Sequence, residues 1–310
     1  MAARRRSDGI APEPASAPDR TADEGDRRSF VPIPEGLELS MSQRRIAHYL
    51  EGQPRTAAFE SASEVAVRVD VSVATVVRFA QALGFKGWPG LQVQLRHRYL
   101  SGLMPDQIMH DRDPATERSR VESAIESDIN NLKITLHSVE PDQVEAIARR
   151  ISESRHTLIV SSGTYATVGT VIAHLGQFMG YDIRLETRGG PELMAALSLL
   201  DERDCVMGIS FWRVSRQVTL ALSSAQRRGI PTIGFADSAV SPVLRGVDHS
   251  IVVPTDTISF FQSMTAAMSV AYGLLATLQE IGGNAVEERV TRAQELYHEL
   301  DILHMRRDGV

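Results

Sequence analysis

Apolar residues change their spacing twice along this chain, and each change marks a boundary. From Leu39 to Gly87 they recur every three or four positions, the period of a single helical face. Ser40, with Gln43 three residues on, forms a capping-box pattern; Ile46, Ala47 and Leu50 then share a face until Gly52 and Pro54 end the helix. Ser61 with Glu64 repeats the pattern and opens a short helix that turns Ala62, Val65, Ala66 and Val69 inward. That helix breaks at Asp70-Val71. Ser72 caps a third, in which Val76, Phe79, Ala80 and Leu83 face a core, so that Ala74, Thr75, Arg78 and Gln81 point away. The result is a helix, a tight turn and a second helix.

Between residues 117 and 137, Val121, Ile125, Ile129, Leu132 and Leu136 fall at near-heptad spacing. Two readings stay open, a seam between two copies or a helix lying on the next domain. From residue 141 the pattern becomes short apolar runs separated by amphipathic helices such as Val168–Met179 and Val218–Arg228. The runs Thr157–Val160, Asp182–Leu185, Cys205–Ile209, Thr232–Phe235 and Ser250–Val253 have strand length and are apolar almost throughout, which predicts a parallel sheet covered on both faces. The expected fold class is therefore an all-α amino-terminal domain followed by a doubly wound α/β domain with a five-stranded parallel sheet. The expected divisions are a disordered tail over 1–34, a helical domain over 35–110, a linker helix over 111–140, the α/β domain over 141–285 and a charged helix over 286–310. Such a sheet holds ligands at the carboxyl ends of its strands, which points to 161–167, 186–191, 210–216, 236–241 and 254–263.

Composition narrows the function classes. With 43% hydrophobic and 23% charged residues in 310, the chain is neither wholly disordered nor a collagen or disulfide framework. The lone Cys205 has no partner for a bridge, and His48, His97, His110, His137 and His174 show no ligand spacing, so no metal and no cofactor are expected. The amino terminus carries arginines without an apolar stretch after them, and Ile258–Ile281 is interrupted by Gln262, Ser263, Thr265, Ser269, Thr277, Gln279 and Glu280. The expectation is a cytoplasmic protein with no membrane segment. The net charge of −6 conceals an asymmetry, since residues 40–100 hold eight Arg or Lys against four Asp or Glu and the remainder holds 25 against 35. A basic module is attached to an acidic one, and a basic three-helix unit points to DNA. Its exposed face offers Ser72, Ala74, Thr75, Arg78 and Gln81, with Lys86 following. Small polar residues suit entry into the major groove, and a guanidinium suits guanine or phosphate.

The stretch from Ser61 to Trp88 resembles the helix-turn-helix of the RpiR-type bacterial transcriptional regulators. The likeness is carried by Val71-Ser72, Thr75-Val76-Val77-Arg78-Phe79 and Leu83-Gly84-Phe85-Lys86-Gly87. One departure is Asp70, where the family usually has glycine; aspartate tolerates the left-handed turn. The resemblance implies DNA contacts at Ser72, Ala74, Thr75 and Arg78 and a phosphate contact at Lys86. The same family carries a sugar isomerase (SIS) domain, and residues 141–285 resemble one through the segment Asp204 to Ser210, through Ala236-Asp237-Ser238, and through Ser241-Pro242-Val243-Leu244 with Asp248.

The resemblance implies phosphosugar loops after the first and third strands, and both are altered. Where the family shows Gly-x-Gly-x-Ser, this chain has Ser161-Ser162-Gly163-Thr164-Tyr165; where it shows Ser-x-Ser-Gly-x-Thr, this chain has Ser210-Phe211-Trp212-Arg213-Val214-Ser215. Ligand contacts are expected at Ser162, Gly163, Thr164, Tyr165, Ser210, Trp212, Arg213 and Ser215. Arg213 is suited to fork a phosphate or carboxylate and Trp212 to stack on a sugar. Ser259 is a further candidate, which also reads as a helix cap. Isomerisation would need a base; Glu186 and His249 lie near strand ends but read more simply as solvated loop residues, so no catalytic residue is assigned. The expected function is a DNA-binding regulator, a homodimer or homotetramer whose binding to double-stranded operator DNA is modulated by a small anionic carbohydrate. The alternative is a sugar-phosphate isomerase with a helical oligomerisation module.

Overall fold

The computed structural model describes residues 30–34, 36–101, 119–259 and 261–301. Residues 1–29, 35, 102–118, 260 and 302–310, which include most of the expected tail, the end of the expected helical domain, the start of the linker helix and the end of the last helix, lie outside the described residues. The amino-terminal domain is helical throughout, with α1 (Met41–Gly52), α2 (Pro54–Ala57), α3 (Ala62–Arg68), α4 (Val73–Ala82) and α5 (Trp88–Ser101). Both predicted capping boxes close: Ser40 and Ser61 each accept the amide of the residue three positions on, and Gln43 and Glu64 reach back to the amides of Ser40 and Ser61. Asp70 takes the left-handed turn conformation at φ 51°. Helix α5 does not follow from the pattern, because Pro89 and Gly90 read as breakers. Pro89 sits in the helix's first turn, where no amide donor is needed, and the helix then supplies Leu91 and Leu95 to a core of Ile46, Leu50, Val65, Val76 and Phe79. Val31, inside the stretch read as a tail, is fully buried in that core, and its amide donates to the Glu51 carboxylate at 2.8 Å.

Helix α6 (Arg120–Ser138) leads through α7 (Pro141–Glu153) into five parallel strands, β1 (Thr157–Val160), β2 (Ile183–Glu186), β3 (Cys205–Ile209), β4 (Thr232–Ala236) and β5 (His249–Val252), in the order β2-β1-β3-β4-β5. Helices α8 (Ala166–Phe178), α9 (Gly190–Ser198), α10 (Arg216–Arg227) and α11 (Thr265–Glu299) complete the domain. One face of the sheet packs Ile159, Met207 and Ile233 against α7, α8 and α11, and the other packs Leu158, Val160 and Val206 against α9 and α10. Each fully buried Ile or Leu here contributes about 1.5–3 kcal/mol, so both faces are needed to hold so short-stranded a sheet. Within α11 the charged carboxyl-terminal helix is divided from the last core helix by a kink at Gly283, whose φ of 48° and ψ of −132° are non-helical and open to glycine alone.

The two domains meet through polar contacts. Lys86 reaches Glu140, Gln94 meets Ser238, and Arg96 pairs with Asp256 at 2.9 Å. Among the described residues no helix is long and apolar enough to cross a membrane.

Candidate functional site

The surface expected to read DNA is built from the start of α4. The Ser72 hydroxyl accepts the Thr75 amide at 3.2 Å and capping fixes the helix start, while the two hydroxyls lie 2.8 Å apart. Arg78 donates to the Thr75 hydroxyl at 3.4 Å, so Ser72, Thr75 and Arg78 form a chain along one side. Ser72, Ala74, Arg78 and Gln81 are exposed and Thr75 half-buried. Arg45 braces the preceding turn, donating to the carbonyls of Val69 and Asp70. Lys86 stands apart from this surface, because its ammonium bonds the His137 carbonyl at 3.2 Å and the Glu140 carboxylate at 2.9 Å and holds that carboxyl below its ordinary range. A phosphate at Lys86 would therefore compete with Glu140. Exposed Val73 escaped the sequence reading; an apolar side chain in the first turn of α4 can meet a thymine methyl.

In the second domain the strand order reverses between β1 and β3, the switch point where doubly wound sheets hold ligands. The two loops leaving it are stitched together. Ser161 Oγ donates to the Ile209 carbonyl at 2.9 Å, and the Tyr165 ring meets Phe211 edge-on at 5.5 Å. Gly163 takes φ 61° and opens a 3-10 turn, Gly163–Tyr165, that leads into α8. Ser162 is half-buried, and Gly163 and Thr164 are exposed. Burial pushes the Tyr165 hydroxyl up to about 12, the Asp237 carboxylate adds to that rise, and the Arg213 backbone and charge oppose it. Tyr165 is thus a neutral hydrogen-bonding group near neutral pH.

The 210–215 loop is closed by its own serines, the buried Ser210 hydroxyl accepting the Ser215 amide at 3.0 Å. Ser215 precedes α10 without capping it by its side chain. Trp212 lies in the left-handed region at φ 48°, a strained place for a large side chain, and its amide donates to Asp237 Oδ2 at 2.7 Å. Its ring is buried, its indole Nε1 has no hydrogen-bond partner among the described residues, and the exposed Arg213 guanidinium lies 5.0 Å over the ring. The arrangement offers the amino ends of α8 and α10 and one guanidinium to an anion. Ser259 makes none of these contacts and caps no helix, since Ser263 accepts the first amide of α11.

Sequence reasoning missed Asp237, which is buried and anchors the loop; its place at the carboxyl end of β4 was the available signal. Glu186 is not the solvated residue expected of it. It is buried and is bonded by the Arg188 amide at 2.7 Å and by the guanidinium. His249 is half-buried in β5.

Residues 35–102 match the helix-turn-helix domain of the rpiR family, and residues 150–278 match the SIS domain. The chain is 23% identical to an uncharacterized HTH-type transcriptional regulator of Haemophilus influenzae over 69% of this chain and 75% of that one. Among solved structures, the sugar isomerase domain of an RpiR transcription factor from Sphaerobacter thermophilus superposes with a TM-score of 0.56 at 29% identity, covering 57% of this chain and 99% of that one. The Vibrio vulnificus NanR protein complexed with ManNAc-6P shares the fold at a TM-score of 0.54 and 18% identity, over 84% of this chain and 95% of that one. An rpiR-family helix-turn-helix domain is thus placed ahead of a SIS domain, and this chain is a helix-turn-helix transcriptional regulator of that two-domain type.

Proposed function

We propose that this regulator binds operator DNA through Ser72, Ala74, Thr75, Arg78 and Gln81, with Lys86 at a phosphate, and that a small anionic carbohydrate held by the 162–165 and 210–215 loops modulates that binding. The observation that carries the reading is the joining of these two loops at the switch point, beside two helix amino ends and the exposed Arg213. The sugar phosphate bound by NanR, a relative in fold, supports the same ligand class here. Ser259, in the loop before α11, completes the proposed set of ligand residues. The regulator acts in the cytoplasm as a homodimer or homotetramer, with the exposed stripe Val121, Ile125, Ile129 and Leu136 of α6 covered by a second copy.

The test is a gel shift of the full chain on the DNA upstream of its own gene against a scrambled duplex at physiological salt, with a panel of phosphosugars and sugar acids. Arg78→Ala should weaken selective binding by about ten- to a hundredfold, the loss of one base-reading contact of about 1–3 kcal/mol, without changing thermal stability. Arg213→Ala should abolish the response to the active compound and leave unliganded binding intact. Selective binding that survives Arg78→Ala would refute the DNA-binding assignment, and an unchanged response in Arg213→Ala would refute the effector assignment.

A further inference from the structure

The contacts between the domains fall on the ligand-bearing end of the sheet. Ser238, 3% exposed at the end of β4, accepts the Val240 amide and donates its proton to Gln94 Oε1 at 2.5 Å. Its neighbour Asp237 holds the Trp212 amide, so consecutive residues touch the 210–215 loop on one side and the DNA-binding domain on the other. The loop after β5 is gripped in the same way. Arg96 of α5, anchored in its own domain by the Ala58 carbonyl and the Phe59 ring, pairs with the Asp256 carboxylate. Asn131 and Ser127 of α6 donate to the Asp256 carbonyl at 2.7 and 3.1 Å. Thr255 links this loop to Asp237, lying 3.5 Å from its carboxylate while donating to Gln262 at 2.9 Å.

This interface is polar and incompletely packed. A cavity of about 260 Å³ remains between the domains, bordered by Phe85, Gln94, Ile134, Val139, Ser238 and Val252. The buried Gln94 amide nitrogen has no acceptor among the described residues. An open pocket leaves the contact incompletely packed and therefore weaker, whereas a permanent interface packs to interior density. We propose that Asp237, Ser238 and Asp256 form a latch that passes the state of the 210–215 loop to the DNA-binding domain through Gln94 and Arg96. Asp237 is the positioning residue, and movement of the Trp212 amide changes how Ser238 presents itself to Gln94. The regulatory consequence rests on the proposed reading of that loop as the effector site, but the latch itself does not.

Coupling is reciprocal, so DNA must be felt at Trp212 whatever the effector is. The chain has two tryptophans, Trp88 in the DNA-binding domain and Trp212 in the loop, and full-length protein carrying 5-fluorotryptophan reports each by its own fluorine resonance. Adding the duplex from upstream of its own gene should shift both resonances in the parent and only that of Trp88 in the Gln94→Leu/Arg96→Met variant. A Trp212 resonance that stays still in the parent, or moves equally in the variant, overturns the latch. Without DNA, amides of α5 and of residues 254–259 should exchange at least tenfold faster in the variant, and unchanged exchange overturns the latch too. Absence of DNA binding in every protein would sink the proposed operator reading alone, and the exchange measurement would still decide the latch.

Discussion

Trp212 permits a test in which the usual order of two substitutions inverts. Its φ of 48° costs an L-residue about 1–2 kcal/mol, which the buried ring and the Asp237 hydrogen bond to its amide outweigh. Trp212→Ala removes the ring and keeps the strain, so it should cost about 3–5 kcal/mol. Trp212→Gly removes the same ring and also the strain, at an entropic cost of about 0.5–1 kcal/mol in the unfolded chain. The amide and its bond to Asp237 persist in both. Glycine should therefore be more stable than alanine here by about 0.5–1 kcal/mol, or about 1–4 °C in melting temperature for a domain of this size. At an exposed helical position such as Ala195 the order is the ordinary one, and Ala195→Gly should cost about 1 kcal/mol. Thermal and urea unfolding followed by circular dichroism on the three variants measures both differences. If Trp212→Ala equals or exceeds Trp212→Gly, the loop is not strained as described, and the argument that Asp237 holds it against that strain fails.

Two further outcomes follow from the same structure. Asp204 is fully buried at the start of β3; burial alone would raise its carboxyl, but the two-point contact with Arg155 and the Asp201 amide bring it below the ordinary range. A depressed carboxyl stabilises the fold above the unfolded pKa of about 3.9 and loses that contribution as pH falls further, so Asp204→Asn should cost about 1–3 kcal/mol at pH 7 and progressively less below pH 4; a constant gap across that range refutes the assignment. Ile125→Glu with Leu136→Glu, both exposed on α6, should reduce the mass seen by light scattering to that of one chain with the helical signal unchanged, and a parent protein already of that mass would refute a second copy on the stripe.

Much of the fold was legible because local and global signals agree. Capping boxes, the spacing of Val76, Phe79 and Leu83, and strand-length apolar runs each state a period that burial then satisfies. Strand ends differ from the sequence reading by a residue at most, as at Ile183–Glu186 and His249–Val252. Helix α5 was not legible, since Pro89 and Gly90 carry the same signal inside a first turn as at a break. At the site, the loops were legible from their place at strand ends, but Asp237 and Gln94 were not. Their roles depend on a partner more than twenty residues away, the Trp212 amide for one and the Ser238 hydroxyl for the other, and no periodicity encodes such a pairing.

Helix α6 shows how the linker divides its work. Its buried side chains are the polar Asn131 and Thr135, while Val121, Ile125, Ile129 and Leu136 face outward, the reverse of an ordinary surface helix. Toward the α/β domain it uses hydrogen bonds to Asp256, which fix geometry and are individually modest in strength. Leu132 and Ile134 are half-buried, but the four exposed apolar side chains stay outward, where non-directional burial supplies affinity with little demand on geometry. A helix lying simply on its own domain would turn those side chains inward, and the proposed second copy would account for the inversion. With a second copy there, the Asp256 loop of each chain would be tied at once to the dimer axis and to its own α5. A change at one strand-end loop would then alter the spacing of two recognition helices, the quantity that paired half-sites on DNA measure.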